Sequence, residues 1–138
     1  MFDICLVASP GSTWEQQWSY LLSHFEPRDL YVIGEVDPRV RPFKGYIQIQ
    51  TAEELPGILV LMAPIFGHVI RGEESLRTFQ HPDECCYMFG ADNAHLTEDH
   101  LGSRIPDHKV YIPTDTRDQM YSFMAGAITL YDRTMTRG

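Results

Sequence analysis

The sequence predicts an α/β fold: a mainly parallel six-stranded sheet with helices on both faces. Two observations predict it. The apolar runs at residues 4–8, 30–33, 58–62 and 85–89 are of strand length and do not alternate, as expected of strands buried on both faces. Stretches with helical spacing of apolar residues stand between the strands, the arrangement that gives a sheet covered on both sides. The pattern alone does not give a strand order.

The elements follow from local signals. The first strand covers residues 3–9 and is broken by Pro10 and Gly11. Ser12 stands three residues before Glu15, a capping-box spacing. Trp14, Trp18, Leu21, Leu22 and Phe25 then recur at helical spacing until Pro27. The second strand, 30–33, stops at Gly34, and a polar loop runs over 35–44. Residues 46–49 alternate as a half-exposed third strand, and 51–55 read as one helical turn. The fourth strand, 58–62, closes at Ala63 and Pro64; residues 65–70 fit no single pattern. Residues 73–79 suit a short helix with Leu76 and Phe79 inward, and 96–101 a second. Residues 85–89 and 110–112 are the fifth and sixth strands. The last helix, about 118–135, carries Met120, Phe123, Met124, Ala127, Ile128 and Tyr131 on one face, which reads as core.

Bulk properties narrow the classes. A chain of 138 residues fits one domain and needs no disulfide staple. The three cysteines, Cys5, Cys85 and Cys86, are odd in number and two are adjacent, which points to a reducing, cytoplasmic setting. No apolar run approaches the roughly 20 residues of a membrane span. The net charge is −8 but uneven: residues 1–101 hold 6 basic and 15 acidic side chains, residues 102–138 hold 5 and 4. An acidic protein binds nucleic acid poorly without a local basic patch. Arg39, Arg41 and Lys44 in one loop, with Arg133 and Arg137 near the C-terminus, are the candidates for contacting RNA.

The region 87–137 bears a resemblance. A strand ends in Met88, Phe89 and Gly90 and continues with Ala91, Asp92 and Asn93. A second strand ends in Ile112 and Pro113, followed by Gln119, Met120, Tyr121 and Ser122 and then a helix through Ala125, Gly126, Ala127, Tyr131 and Asp132. In this combination the segment resembles the SPOUT superfamily, the α/β-knot methyltransferases, and most of all the branch that methylates ribose 2′-hydroxyls of tRNA and rRNA. The motifs cover about 50 residues; upstream, only the order of elements agrees. The resemblance implies a C-terminal helix threaded into a trefoil knot, a homodimer, and S-adenosylmethionine bound against three loops. By position those loops hold Ala63 and Pro64; Phe89, Gly90, Ala91 and Asp92; and Ile112, Pro113, Gln119 and Met120. Tyr121, Ser122, Arg39 and Arg41 are the catalytic candidates.

The chain departs from the family's pattern at its first motif. Members carry an Asn and then an Arg on the loop and helix after the first strand, and residues 9–27 contain neither. Arg28, Arg39 and Arg41 are the replacements to consider. The acid after the glycine is Asp92 where members have Glu, and Tyr121 stands where the last motif has Asn.

Other signals read blandly. Cys85 and Cys86 point to opposite faces of a strand and lack chelate spacing, so no metal site is expected despite nearby His81 and His95. The turn at 10–13 lacks a P-loop lysine. The acids Glu53, Glu54, Glu73 and Glu74 read as solvated helix starts, and the tryptophans as core or dimer-face residues. Three functions stay open: an RNA methyltransferase, an inactive knotted module acting by binding, and an unrelated flavodoxin-like nucleotide-binding protein.

Overall fold

The computed structural model of the protein describes residues 1–9, 13–36, 43, 45–64, 70–92, 96–116 and 120–137. Its strands are β1 (Phe2–Val7), β2 (Leu30–Ile33), β3 (Ile47–Ile49), β4 (Leu59–Met62), β5 (Glu74–Ser75), β6 (Cys85–Phe89) and β7 (His108–Tyr111). Its helices are α1 (Trp14–Leu22), α2 (Glu98–Leu101) and α3 (Ser122–Arg137), with a 3-10 turn at Ala52–Glu54. The strands form one sheet in the order β3-β2-β1-β6-β4-β7-β5, and every pairing is parallel.

The described residues give seven strands where the sequence predicts six. The extra one is β5, at the start of the segment read as a helix over 73–79. Leu76 and Phe79 are buried as that reading requires, but Glu73 and Leu76 donate backbone N–H bonds to Lys109 O (2.7 Å) and Tyr111 O (2.8 Å). A sheet edge offering free carbonyls overrode a weak local helix preference. The order also departs from the flavodoxin pattern, because β6 lies between β1 and β4.

Strand alternation divides the core in two. Ile4, Leu6, Val60, Tyr87 and Phe89 face the side covered by α1 and α3. Cys5, Val7, Leu59, Leu61, Cys86 and Met88 face the side that includes Ala52, Leu55 and Leu101, from the 3-10 turn and α2. Both sides are apolar, which is why the strands read as unbroken hydrophobic runs.

Helix α3 does not bury the stripe its sequence suggests. Its buried residues are Gly126, Thr129, Leu130 and Arg133. Met124, Ile128 and Tyr131, with Tyr121 and Met135, are exposed instead. At 100° per residue they lie opposite the buried face. Phe123 and Ala127 pack at the boundary. The inner face takes the small residue because Trp18 of α1 already fills the space: a Cβ on Gly126 would stand 2.3 Å from the indole Cη2.

Candidate functional site

Parallel pairing brings all strand C-termini to one edge. Met62 of β4 is level with Phe89 of β6 on one side and with Val110 of β7 on the other. The segments beginning at Ala63, Gly90 and Ile112 therefore leave three adjacent strands side by side. With strands about 4.8 Å apart, the β6 and β7 ends lie about 10 Å from each other across β4. Ala63 N–H donates to Val110 O at 2.9 Å. Gly72 seals this edge: its N–H donates to Pro64 O at 3.1 Å, and a Cβ there would be 2.6 Å from both Ala63 O and Tyr111 Cβ.

The residues expected to form the site divide by burial. Ala63 is buried and Pro64 exposed. Phe89 is in the core, its ring 5.0 Å from that of Trp18, so only its backbone reaches the edge. Gly90, Ala91, Asp92, Ile112 and Met120 are half-buried, while Pro113 and Tyr121 are exposed. Gln119, Arg39, Arg41 and Lys44, like Ser12, Asn93 and His95, lie outside the described residues.

Asp92 and Ser122 belong to a network that no sequence motif signals. Asp92 N–H donates to Ser9 Oγ (2.8 Å), and Asp92 Oδ1 accepts from Ser122 N–H (2.8 Å). Ser122 Oγ accepts from the indole Nε1–H of Trp18 (2.9 Å). Ser9 and Trp18 are thus tied to the site, and only their positions at the end of β1 and on the inner face of α1 could have drawn notice.

The C-terminal part of the expected basic patch, Arg133 and Arg137, is corrected. Arg133 is 8% exposed and faces inward. Its guanidinium donates to Pro82 O (2.7 Å), Asp83 O (2.7 Å) and Tyr87 Oη (2.9 Å) and lies over the Phe2 ring. It cannot reach RNA from there. A helix position facing the sheet, beside the Pro82 and Asp83 carbonyls that precede β6, draws a cation inward. Arg137 bonds His81 O (2.7 Å) and the Asp83 carboxylate. Buried His81 completes this anchor, with Nδ1 2.7 Å from Tyr87 Oη and Nε2 2.6 Å from Asp132 Oδ2. Arg133 can only donate, so the bonding is satisfied when the phenol donates to Nδ1 and Nε2–H donates to Asp132. Burial, first among several causes, raises the Tyr87 pKa far above its ordinary value.

Arg28 is also placed elsewhere. It precedes β2 and forms a two-pronged bond to Asp3 of β1 (2.9 and 3.2 Å), at the sheet edge away from Gly90. That bond, the carboxylate's charge and the lesser pull of Glu84 raise its pKa. Among the described residues no group of three or more His, Cys, Asp and Glu side chains could hold a metal ion, and no helix is long and apolar enough to cross a membrane.

No protein-family model matches the sequence, and no curated protein matches it. Solved structures do match. The SpoU methyltransferase AviRb from Streptomyces viridochromogenes, in complex with AdoMet, superposes with a TM-score of 0.75 at 16% identity, covering 98% of this chain and 57% of that one. An AdoMet-bound rRNA methyltransferase from Sinorhizobium meliloti gives 0.71 at 16% identity, covering 99% and 56%. A protein solved for insight into 2-OH methylation of C/U34 on tRNA gives 0.73 at 18% identity, covering 100% and 92%. The chain thus spans under two-thirds of the first two and nearly all of the third. It has the α/β fold, parallel sheet included, of these three structures.

Proposed function

We propose that the protein is an S-adenosylmethionine-dependent RNA methyltransferase acting on a ribose 2′-hydroxyl of tRNA or rRNA. The observation that carries this reading is the adjacency of the β4, β6 and β7 ends at one edge, in a fold shared with methyltransferases solved with the cofactor. The residues present fit the group. Gly90 has no positive φ, and a Cβ there would make only ordinary contact, 3.4 Å, with Leu96. Neither backbone nor packing demands glycine, so close approach of a ligand is a sufficient reason for it.

In this reading the segments at Ala63 and Pro64, and at Gly90 and Ala91, hold the adenosyl moiety through their backbones. Ile112 and Met120 supply apolar contact, and Pro113 stiffens its loop. The cofactor supplies an activated methyl group. The protein must orient the ribose hydroxyl and take up its proton. Arg28 is too far and already paired, and the Ser122 hydroxyl is engaged by Trp18. Tyr121, 60% exposed, and the loop arginines Arg39 and Arg41 remain the groups assigned to this task. Arg71, next to the sealing Gly72, is a further arginine on this edge.

The reading includes a knotted C-terminus and a homodimer. The knot rests on the resemblance of residues 87–137 to the α/β-knot methyltransferases. Support for the dimer is the exposed stripe of α3 and the residue before it, in which 121, 124, 128, 131 and 135 recur at spacings of three and four over about 21 Å. It adjoins an apolar groove between α1 and α3 lined by Tyr20, Leu21, Phe25, Phe123 and Ala127. In a chain of charge −8, an uncharged face is where two copies meet without repulsion. Light scattering should report a dimer, and Ile128→Glu should yield a folded monomer.

Isothermal titration with S-adenosylmethionine, followed by tritiated methyl transfer to bulk unmodified tRNA and rRNA, tests the function. Binding and incorporation are expected. No binding heat at high micromolar cofactor would remove the proposal, and binding without transfer would favour the inactive knotted module, to which the missing first-motif Asn and Arg also point.

A further inference from the structure

We propose that Asp92 is a positioning residue: its carboxylate caps α3 and thereby sets the spacing between the two walls of the cofactor site, without itself touching the cofactor. The inference rests on the function proposed above.

The first N–H groups of a helix have no partner within it, and negative charge is favoured there. Ser122 begins α3, and its N–H is met by Asp92 Oδ1 at 2.8 Å. The cap comes from a residue 30 positions earlier, not from the local turn. An aspartate side chain is short, so this bond forms only if the Asp92 backbone lies close to the start of α3. The same residue's N–H is fixed to Ser9 Oγ, 83 positions away, and Ser9 is buried. Asp92 therefore joins the segments following β1 and β6 to the one preceding α3. Two of these, Gly90 to Asp92 and Met120 to Ser122, are the proposed walls. Trp18 locks the assembly by donating to Ser122 Oγ while packing on Phe89, the residue before Gly90.

Charge and geometry make opposite demands at this position. A carboxylate that touched the cofactor's ammonium or ribose would tolerate Asp92→Glu better than Asp92→Asn, because Glu keeps the charge. A cap requires the reverse. Asn caps about as well as Asp, whereas Glu, one methylene longer, displaces the acceptor.

The experiment titrates wild-type protein, D92N and D92E with S-adenosylmethionine and measures protection of the Ser122 amide from hydrogen exchange without cofactor. D92N is expected to bind within about threefold of wild type and to keep the amide protected. D92E should bind at least about fivefold more weakly and lose protection. The opposite ranking, or equal loss in both with protection intact, would overturn the proposal in favour of direct contact. Unchanged binding in both would overturn it too. If wild-type protein binds no cofactor, the proposed function fails, and the exchange measurement alone still decides whether Asp92 holds α3.

Discussion

Trp18 and Gly126 are fitted to each other across the α1–α3 interface. A Cβ on Gly126 would stand 2.3 Å from Cη2 and 2.8 Å from Cζ3 of the indole, with Leu21 Cδ2 at 3.1 Å. Trp18 is fully buried, and its Nε1–H is held by Ser122. The ring cannot retreat without losing that bond. Gly126→Ala should therefore destabilise the protein by about 1–3 kcal/mol through overpacking, even though alanine is the better helix former by about 1 kcal/mol. Denaturant unfolding measures it; a gain in stability would show that α3 does not lie against the ring.

Thr129 presents the opposite case. Its Oγ1 is buried on the inner face of α3 without a hydrogen-bond partner among the described residues. Valine matches it in shape and removes the unsatisfied group. Thr129→Val should stabilise the fold by about 1–2 kcal/mol, read from the shift in denaturation midpoint. A loss of stability would mean that the hydroxyl has a partner, such as a buried water.

Arg133 separates structural from RNA-binding roles. Arg133→Met keeps length but abandons Pro82 O, Asp83 O and the Tyr87 phenol. A cost of about 2–4 kcal/mol is expected. The salt dependence of RNA affinity should not change, whereas loss of a phosphate contact would lower that slope by about 1.

Glu53 gives a pH signature. Its pKa is lowered from 4.5, first by the Ser103 hydroxyl and then by the Ser103 N–H at 2.8 Å. A lowered carboxylate pKa means that the stabilisation is present above about 4.5 and is lost as pH falls through the lower folded value. The protection factor of the Ser103 amide should fall over that acid window in wild type and stay flat in Glu53→Gln. A wild-type profile equally flat would dismiss the clamp.

The cysteines should be inert. Cys5, Cys85 and Cys86 are free and buried; burial pushes the Cys5 thiol up to about 12 and raises the other two. A thiol reagent at mildly alkaline pH should find no reactive group in native protein and three after unfolding. Rapid labelling of the native state would contradict this packing.

The amino-acid sequence by itself determined the elements that make their own case. Runs such as Ile4 to Val7 and Cys85 to Phe89 are apolar at every step, because a strand covered on both faces needs both of its faces hydrophobic. Residues 51–55 read as a helical turn, and in the structure Thr51 and Glu54 start that turn through a capping box that depends on nothing distant. The turns at Gly90 and after Ile112 were legible for the same reason, since turn chemistry is local. Tertiary structure decided what depends on partners far away in the chain. β5 exists because β7 offers its carbonyls, Arg133 turns inward because carbonyls and a phenol await it, and the apolar stripe of α3 faces outward because Trp18 leaves room only for glycine beneath. The same holds for the site. Asp92 was visible as an acid after a glycine turn, but its bond to Ser122 requires β6 and α3 to be brought together. Periodicity encodes which face is apolar; it does not encode what each face will meet.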